Sequence, residues 1–318
     1  MPEVLVTGAN GFVGRSICKA LISKGYFVRG AVRTENGAQE LPVGTEPFIL
    51  SNFHSLESWK EALKGITDVI HLIGRTHVLK EEFRDAEGEF RSVNVGITRA
   101  LLKAMEDKPL NKFIYMSSIK AVGEGGDKTP YTEESPPTPE DLYGKTKLEA
   151  ENIIREESAK TGIPSVILRP PLIYGPGVKG NFLKLMASAS KGYPLPIGSL
   201  KNLRSLIYVG NLADAIARII EKQISGFEIF HVADEPPVST PHLYQELMQN
   251  FGKSPRFINI PEPLLKTAAT ITGKAPDFQK IAGSLVVSSA RFRDTFNWKE
   301  PFSFEEGIKR TCEAYPDL

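Results

Sequence analysis

The sequence predicts an α/β protein: a Rossmann-type, doubly wound parallel sheet followed by a smaller C-terminal lobe. Three observations carry that expectation. Short apolar runs of strand length alternate with helical patterns along most of the 318 residues. The first run, Val4-Leu5-Val6, passes straight into the glycine-rich turn Thr7-Gly8-Ala9-Asn10-Gly11-Phe12-Val13-Gly14, which opens a helix. A later run, Asp68 to Gly74, is apolar almost without alternation, as a strand covered on both faces of a parallel sheet must be.

Composition bounds the rest. A hydrophobic content of 41% and a charged content of 24% are those of an ordinary globular protein, long enough to bury a sizeable core. The net charge of +1 calls for neither nucleic acid nor a membrane surface as partner. The first strand starts at residue 4, which leaves no room before it for a leader, and no apolar run approaches the ~18 residues of a membrane span. Cys18 and Cys312 lie far apart in no metal-ligand spacing, so no metal is expected and both thiols are expected to stay reduced in a cytoplasmic protein.

Taken in order, the glycine turn comes first. Gly8 permits the sharp turn, Gly11 removes a side chain where a phosphate approaches the backbone, and Gly14 lets the helix lie close to the strand. The helix pattern runs from Phe12 to Ser23 with Phe12, Val13, Ile17, Leu21 and Ile22 on one face. Its unpaired N-terminal N–H groups, aided by the helix dipole, suit a pyrophosphate. A second strand, Tyr26 to Val32, completes a dinucleotide-binding βαβ unit. Where an acidic residue would hold the adenosine ribose stands Val32, followed by Arg33, a partner for a 2′-phosphate; this favours NADP over NAD.

With Thr7 the turn reads T-G-x-x-G-x-x-G, which resembles the extended short-chain dehydrogenase/reductase family and, from motifs further along, its nucleotide-sugar epimerase/dehydratase branch. The resemblance implies cofactor contacts from Thr7, Gly8, Asn10, Gly11, Phe12, Val13 and Gly14. A third strand, Glu46 to Leu50, and a helix, Leu56 to Leu63, follow, and the loop between them brings Asn52 and Phe53 to the adenine, with Asn52 in place of the family's aspartate. Asp68 to Gly74 resembles the family's D-x-V-x-H-L-A-A segment, which implies that Leu72, Ile73 and Gly74 pass beneath the pyrophosphate. His71 in that strand is read as a core residue without chemistry, and His77 beyond it as a weak candidate to face substrate. The helical pattern Arg84 to Glu106 contains Asn94-Val95-Gly96-Ile97-Thr98, similar to the family's N-x-x-G-T, so Asn94 joins the cofactor set.

The catalytic candidates follow. Lys112 to Ser118 reads as the fifth strand, and ligands in open α/β sheets bind outside the carboxyl ends of strands, where Ser118 lies. Glu124 to Glu140, rich in Gly and Pro, reads as a flap over that site. Tyr143 and Lys147 are four residues apart at the start of a helix running to about Lys160, so they share a face. A neighbouring ammonium is expected to lower the tyrosine pKa toward neutrality. The sixth strand, Ser165 to Arg169, ends in Pro170-Pro171-Leu172-Ile173-Tyr174-Gly175-Pro176, similar to the family's R-P-x-x-V-Y-G-P. Pro170 joins the cofactor set, and Leu172 replaces the asparagine that several sugar epimerases use on the diphosphate, a role that Asn181 is expected to take. Arg204, in a stretch similar to R-D-x-I-x-V with Ser205 for the aspartate, is the expected bidentate diphosphate ligand. A helix from Asn211 to Glu221, a strand from Phe227 to Val232, and a mostly helical stretch from 239 to 315 complete the chain.

The expected organisation is therefore a dinucleotide-binding domain of residues 1–170, to which 205–235 return, and a substrate-binding lobe of 171–204 and 236–318. The chemistry that the resemblance implies is hydride transfer at a sugar C4 carbonyl or hydroxyl. Tyr143 exchanges the proton, Ser118 hydrogen-bonds the reacting oxygen, and Lys147 supports the phenolate and the nicotinamide ribose. Dehydration is disfavoured because Ile119-Lys120, not an Asp-Glu pair, follow Ser118, and neither cysteine is placed for an epimerase-reductase. A 4-ketoreductase releasing NADP at each turnover is slightly favoured over a UDP-hexose 4-epimerase that keeps NAD bound. A dinucleotide sensor without turnover is the remote third reading. By resemblance the substrate is a nucleotide-diphosphate sugar, UDP-linked, and the assembly a homodimer.

Overall fold

The structure is a computed structural model that describes residues 3–76, 85–125, 129–273 and 275–318. His77, Arg84 and part of the stretch from Glu124 to Glu140 lie outside the described residues. The chain runs β1 (Glu3–Thr7), α1 (Phe12–Ser23), β2 (Phe27–Val32), α2 (Glu35–Gln39), β3 (Thr45–Ile49), α3 (Leu56–Ala62) and β4 (Asp68–His71). Then come α4 (Ala86–Arg91), α5 (Ile97–Met105), β5 (Lys112–Met116), α6 (Leu142–Thr161), β6 (Ser165–Arg169), β7 (Leu172–Tyr174) and α7 (Gly180–Ser190). The last part comprises β8 (Leu206–Tyr208), α8 (Val209–Glu221), β9 (Phe227–His231), α9 (Thr240–Asn250), α10 (Glu262–Ile271), α11 (Ala275–Ala282), α12 (Ala290–Phe296) and α13 (Phe304–Glu313).

Seven strands form one parallel sheet in the order β3-β2-β1-β4-β5-β6-β9. The order reverses beside β1, the switch point at which doubly wound folds bind ligands. Successive residues of a strand face opposite sides, and each side has its own helical cover. Val4, Val6, Ile70, Ile114 and Val166 pack on Ile17 and Leu21 of α1 and on Leu212, Ile216 and Ile219 of α8. Leu5, Val69, Phe113, Tyr115 and Ile167 pack on Trp59 of α3, Leu101 and Met105 of α5, and Ile153 and Ile154 of α6. Each large apolar side chain so buried contributes about 1.5–3 kcal/mol. Lys112 joins the layers: its Nζ donates to the carbonyls of Ile219, Ile220 and Lys222 at 2.7, 2.9 and 2.6 Å, closing the C-terminus of α8.

The C-terminal part has its own apolar cluster, with Tyr174, Phe182, Met186, Tyr208, Tyr244, Leu247 and Ile308 at its centre. β7 and β8 pair in parallel as a separate two-stranded sheet. Two regions differ from the sequence reading. The helix expected to run unbroken to Glu106 is interrupted by a π turn at Ser92–Gly96, which carries the buried Asn94. Helix α2 escaped notice because its five residues are too few for a periodic pattern; its signal is the Thr34 cap, whose hydroxyl accepts the Gly37 N–H at 3.2 Å.

Candidate active site

The glycine turn has the shape of a phosphate cradle. Gly8 takes φ +65°, and a Cβ on Gly14 would lie 2.3 Å from the Gly8 carbonyl oxygen, so α1 approaches β1 as closely as only glycine allows. No side chain caps α1, and its first turn holds no acidic residue, which leaves its N–H groups and dipole to an anion. The end of β4 lies against the turn: the Thr7 hydroxyl accepts the Leu72 N–H at 3.1 Å, and a Cβ on Gly8 would lie 3.5 Å from the Ile73 nitrogen. Phe12 and Val13 pack on the C-terminal cluster, and Asn10 donates to Glu40 at 3.3 Å. These residues fit a dinucleotide pyrophosphate.

At the far end of the turn, Arg33 follows the buried Val32, and its guanidinium lies 5.4 Å from the centre of the Phe53 ring. Phe53 in turn stacks on Trp59, whose indole N–H donates to the Phe53 carbonyl at 2.8 Å. Asn52 closes a local turn, its side-chain oxygen accepting the His54 N–H at 2.9 Å.

Ser118, Tyr143 and Lys147 come together beyond the carboxyl end of β5. Ser118 caps a single 3₁₀ turn, Ile119–Ala121, its hydroxyl accepting the Lys120 N–H at 3.2 Å, and lies beside the Tyr143 phenol. Asp141 caps α6 by accepting the Gly144 N–H at 2.7 Å, and Lys120 bridges Asp141 and Glu124 at 2.7 and 3.0 Å. A Cβ on Gly144 would lie 2.3 Å from the Lys120 carbonyl oxygen, so the 3₁₀ turn and α6 are in direct contact and Ser118 is held in register with Tyr143. Lys147 is buried, with its Nζ donating to the Met116 carbonyl at 2.7 Å and to the Tyr115 hydroxyl at 3.2 Å. Gly74 passes directly over it, for a Cβ there would meet Nζ at 3.0 Å and the Asn94 oxygen at 3.5 Å. Asn94 is fully partnered: its oxygen accepts the Arg75 N–H at 2.8 Å, and its amide donates to Thr146 at 2.9 Å and to the Arg75 carbonyl at 3.2 Å. Pro170 lies behind Ser118, its carbonyl accepting the Ile119 N–H at 3.0 Å.

One expectation is corrected. The Tyr143 pKa is not lowered; although part of the side chain stays exposed, burial pushes it up to about 12, with the neighbouring Ser118 hydroxyl acting in the opposite sense. The expected benefactor is itself weakened, because burial brings Lys147 down to about 7 despite Glu151, and Nζ lies 5.9 Å from the Tyr143 ring centre. An uncharged tyrosine is a proton donor, and a charged ammonium nearby favours its phenolate.

Sequence reasoning missed the support behind this cluster. Ser117 donates to Glu151 at 2.5 Å, and Arg169 grips the same carboxylate through two bonds of 3.0 and 2.6 Å, all three residues being buried. Glu151 follows Lys147 by four residues, so the helical period was the available signal. Cys18 and Cys312 are buried, with thiols pushed up to about 12, so neither supplies a thiolate.

The two substrate candidates belong to elements outside this hydrogen-bonded set. Asn181 is exposed in the first turn of α7. Arg204 donates to the Gly283 carbonyl at 2.9 Å, while its backbone pairs with Val238. Ser205, one residue on, accepts the Val287 N–H at 3.0 Å.

Comparison with known proteins places the chain in a family. The sequence profile of the NAD dependent epimerase/dehydratase family matches residues 4–233. A UDP-glucose 4-epimerase of Vibrio cholerae is 34% identical over 99% of this chain and 96% of that protein. An Escherichia coli O157:H7 epimerase, named for N-acetyl-alpha-D-glucosaminyl-diphospho-ditrans,octacis-undecaprenol, is 26% identical over 98% of this chain and 94% of its own. Among solved structures, the Thermotoga maritima UDP-glucose 4-epimerase with UDP-glucose superposes with a TM-score of 0.79 at 20% identity, covering 98% of both chains, a likeness of fold. The protein therefore belongs to the NAD dependent epimerase/dehydratase family of extended short-chain dehydrogenase/reductase enzymes.

Proposed function

We propose that the protein is a UDP-hexose 4-epimerase that works with NAD. The observation that carries the reading is the meeting of Ser118, Tyr143 and Lys147 beneath Gly74, in a chain 34% identical to a UDP-glucose 4-epimerase. Bound NAD would accept the C4 hydride and give it back. The rest belongs to the protein. Tyr143, as the phenolate that the Lys147 ammonium favours, takes the proton of the C4 hydroxyl, and Ser118 hydrogen-bonds the same oxygen. The ketone presents its other face, and Tyr143 returns the proton to the inverted alcohol. Gly8, Gly11 and Gly14 hold the pyrophosphate, Arg204 and Asn181 the diphosphate of the sugar, and residues 171–204 and 236–318 enclose it. The helices bearing Asn94 and Tyr143 would pair two copies into a homodimer. Among the described residues no helix is long and apolar enough to cross a membrane.

A second reading, the 4-ketoreductase using NADPH, is favoured by one observation, the absence of a carboxylate at the Val32-Arg33 end of β2. Incubating purified protein with UDP-glucose and no added nicotinamide separates the two. The epimerase yields UDP-galactose under those conditions. Strict dependence on added NADPH, with a 4-keto-sugar as the substrate reduced, contradicts it.

A further inference from the structure

We propose that Tyr115 is a positioning residue for Lys147, a buried hydroxyl acceptor that fixes the ammonium in place and favours its charged form. This rests on the reading of Lys147 as part of the site, and it assigns work to a side chain that the proposed reaction does not touch. Tyr115 is fully buried on β5, under α5 and α6. The Lys147 Nζ lies 3.2 Å from its hydroxyl and 4.5 Å from its ring centre, so the ring face and the oxygen both meet the cation.

The Tyr115 ring stacks on His71 with 5.7 Å between centres, and His71 sits in a chain of bonds whose proton directions follow from their partners. The Thr98 hydroxyl donates to the Asn94 carbonyl at 2.8 Å, so its oxygen can only accept from its other partner. That partner is His71 Nε2, at 3.1 Å. His71 is fully buried and its pKa is pushed down to about 3, so it is neutral, with its one proton on Nε2. Its Nδ1 then accepts from the Thr7 hydroxyl at 2.7 Å, and the Thr7 oxygen accepts the Leu72 N–H. The Lys147 ammonium has only protons to offer, so Tyr115 turns a lone pair to it.

The charge balance at Lys147 makes this acceptor count. Burial lowers its pKa most; Glu151 opposes that, His71 is neutral, and Tyr143 offers its ring at 5.9 Å. With the lysine titrating at about 7, one acceptor more or less changes the charged fraction in the working range.

The test is the pH profile of kcat at saturating UDP-sugar for wild type, Tyr115→Phe, Tyr115→Leu and Lys147→Met. Tyr115→Phe keeps the ring and removes the acceptor. The alkaline limb should move down by roughly one pH unit, with a loss of about fivefold to tenfold in kcat above it and the sugar KM within about twofold. Tyr115→Leu removes the acceptor and the ring face together and should shift the limb at least as far in the same direction, which decides the matter should Tyr115→Phe not fold. Unshifted limbs, or a loss equal at every pH, overturn the proposal and leave Tyr115 a packing residue. An active Lys147→Met variant would overturn it differently, by removing the catalytic reading beneath it, whereas an inactive one with unshifted limbs counts against Tyr115 alone.

Discussion

The carboxyl end of the sheet and the C-terminal lobe are built by opposite rules. Every residue of β4, β5 and β6 is buried, and the polar groups among them are tied by bonds that cross between strands and helices, as in Ser117–Glu151–Arg169 and Thr7–His71–Thr98. Helix α10 buries only Ala269, leaving Leu264 62% and Ile271 81% exposed. Arg204 has a main-chain carbonyl as the partner of its guanidinium rather than a carboxylate. On the proposed reading the two regions divide the work: geometry that must hold to a few tenths of an ångström sits on the sheet, and recognition that varies with substrate sits in the lobe.

The contrast is broken first at the sheet end. Tyr143→Phe keeps the ring but has no proton to exchange, so kcat/KM should fall by more than about a hundredfold, ~2.7 kcal/mol, with nicotinamide content close to wild type. A variant retaining above a tenth of the activity would show that the proton passes elsewhere. In the lobe, Arg204→Ala should act on binding: KM for UDP-sugar rises about tenfold while kcat changes little, because the diphosphate is held alike in ground and transition states. An unchanged KM moves the diphosphate site. The smallest effect belongs to the lobe surface, where Ile271→Ser should alter unfolding free energy by less than about 0.5 kcal/mol. A larger loss would mean that α10 is covered in solution, and light scattering on the same sample would show by what mass.

Legibility followed the same division. The glycine turn, the apolar strands and the Tyr143–Lys147 spacing are local patterns, written within a few residues of one another, and they were readable. The consequences of burial were not. Lys147 lies four residues from Tyr143, which suggested a charged neighbour, yet the groups that surround its Nζ are Tyr115 and Met116 of β5 and Gly74 beyond β4. Glu151 and Arg169 are 18 residues apart and meet only because α6 packs on β6. The π turn at Asn94 leaves no compositional mark, since Ser92–Gly96 reads as ordinary helix. Arg204 was legible as a residue type, whereas its carbonyl partner Gly283 lies 79 positions away.

The central claim, that one hydride leaves C4 and returns to it within a single protein, has a direct measurement. UDP-glucose carrying deuterium at C4 is incubated with the purified protein and no added nicotinamide, and the UDP-galactose formed is analysed by mass and by NMR at C4. The account predicts inverted product with the deuterium retained at C4. Deuterium lost to solvent, or product formed only when NADPH is added, would contradict it.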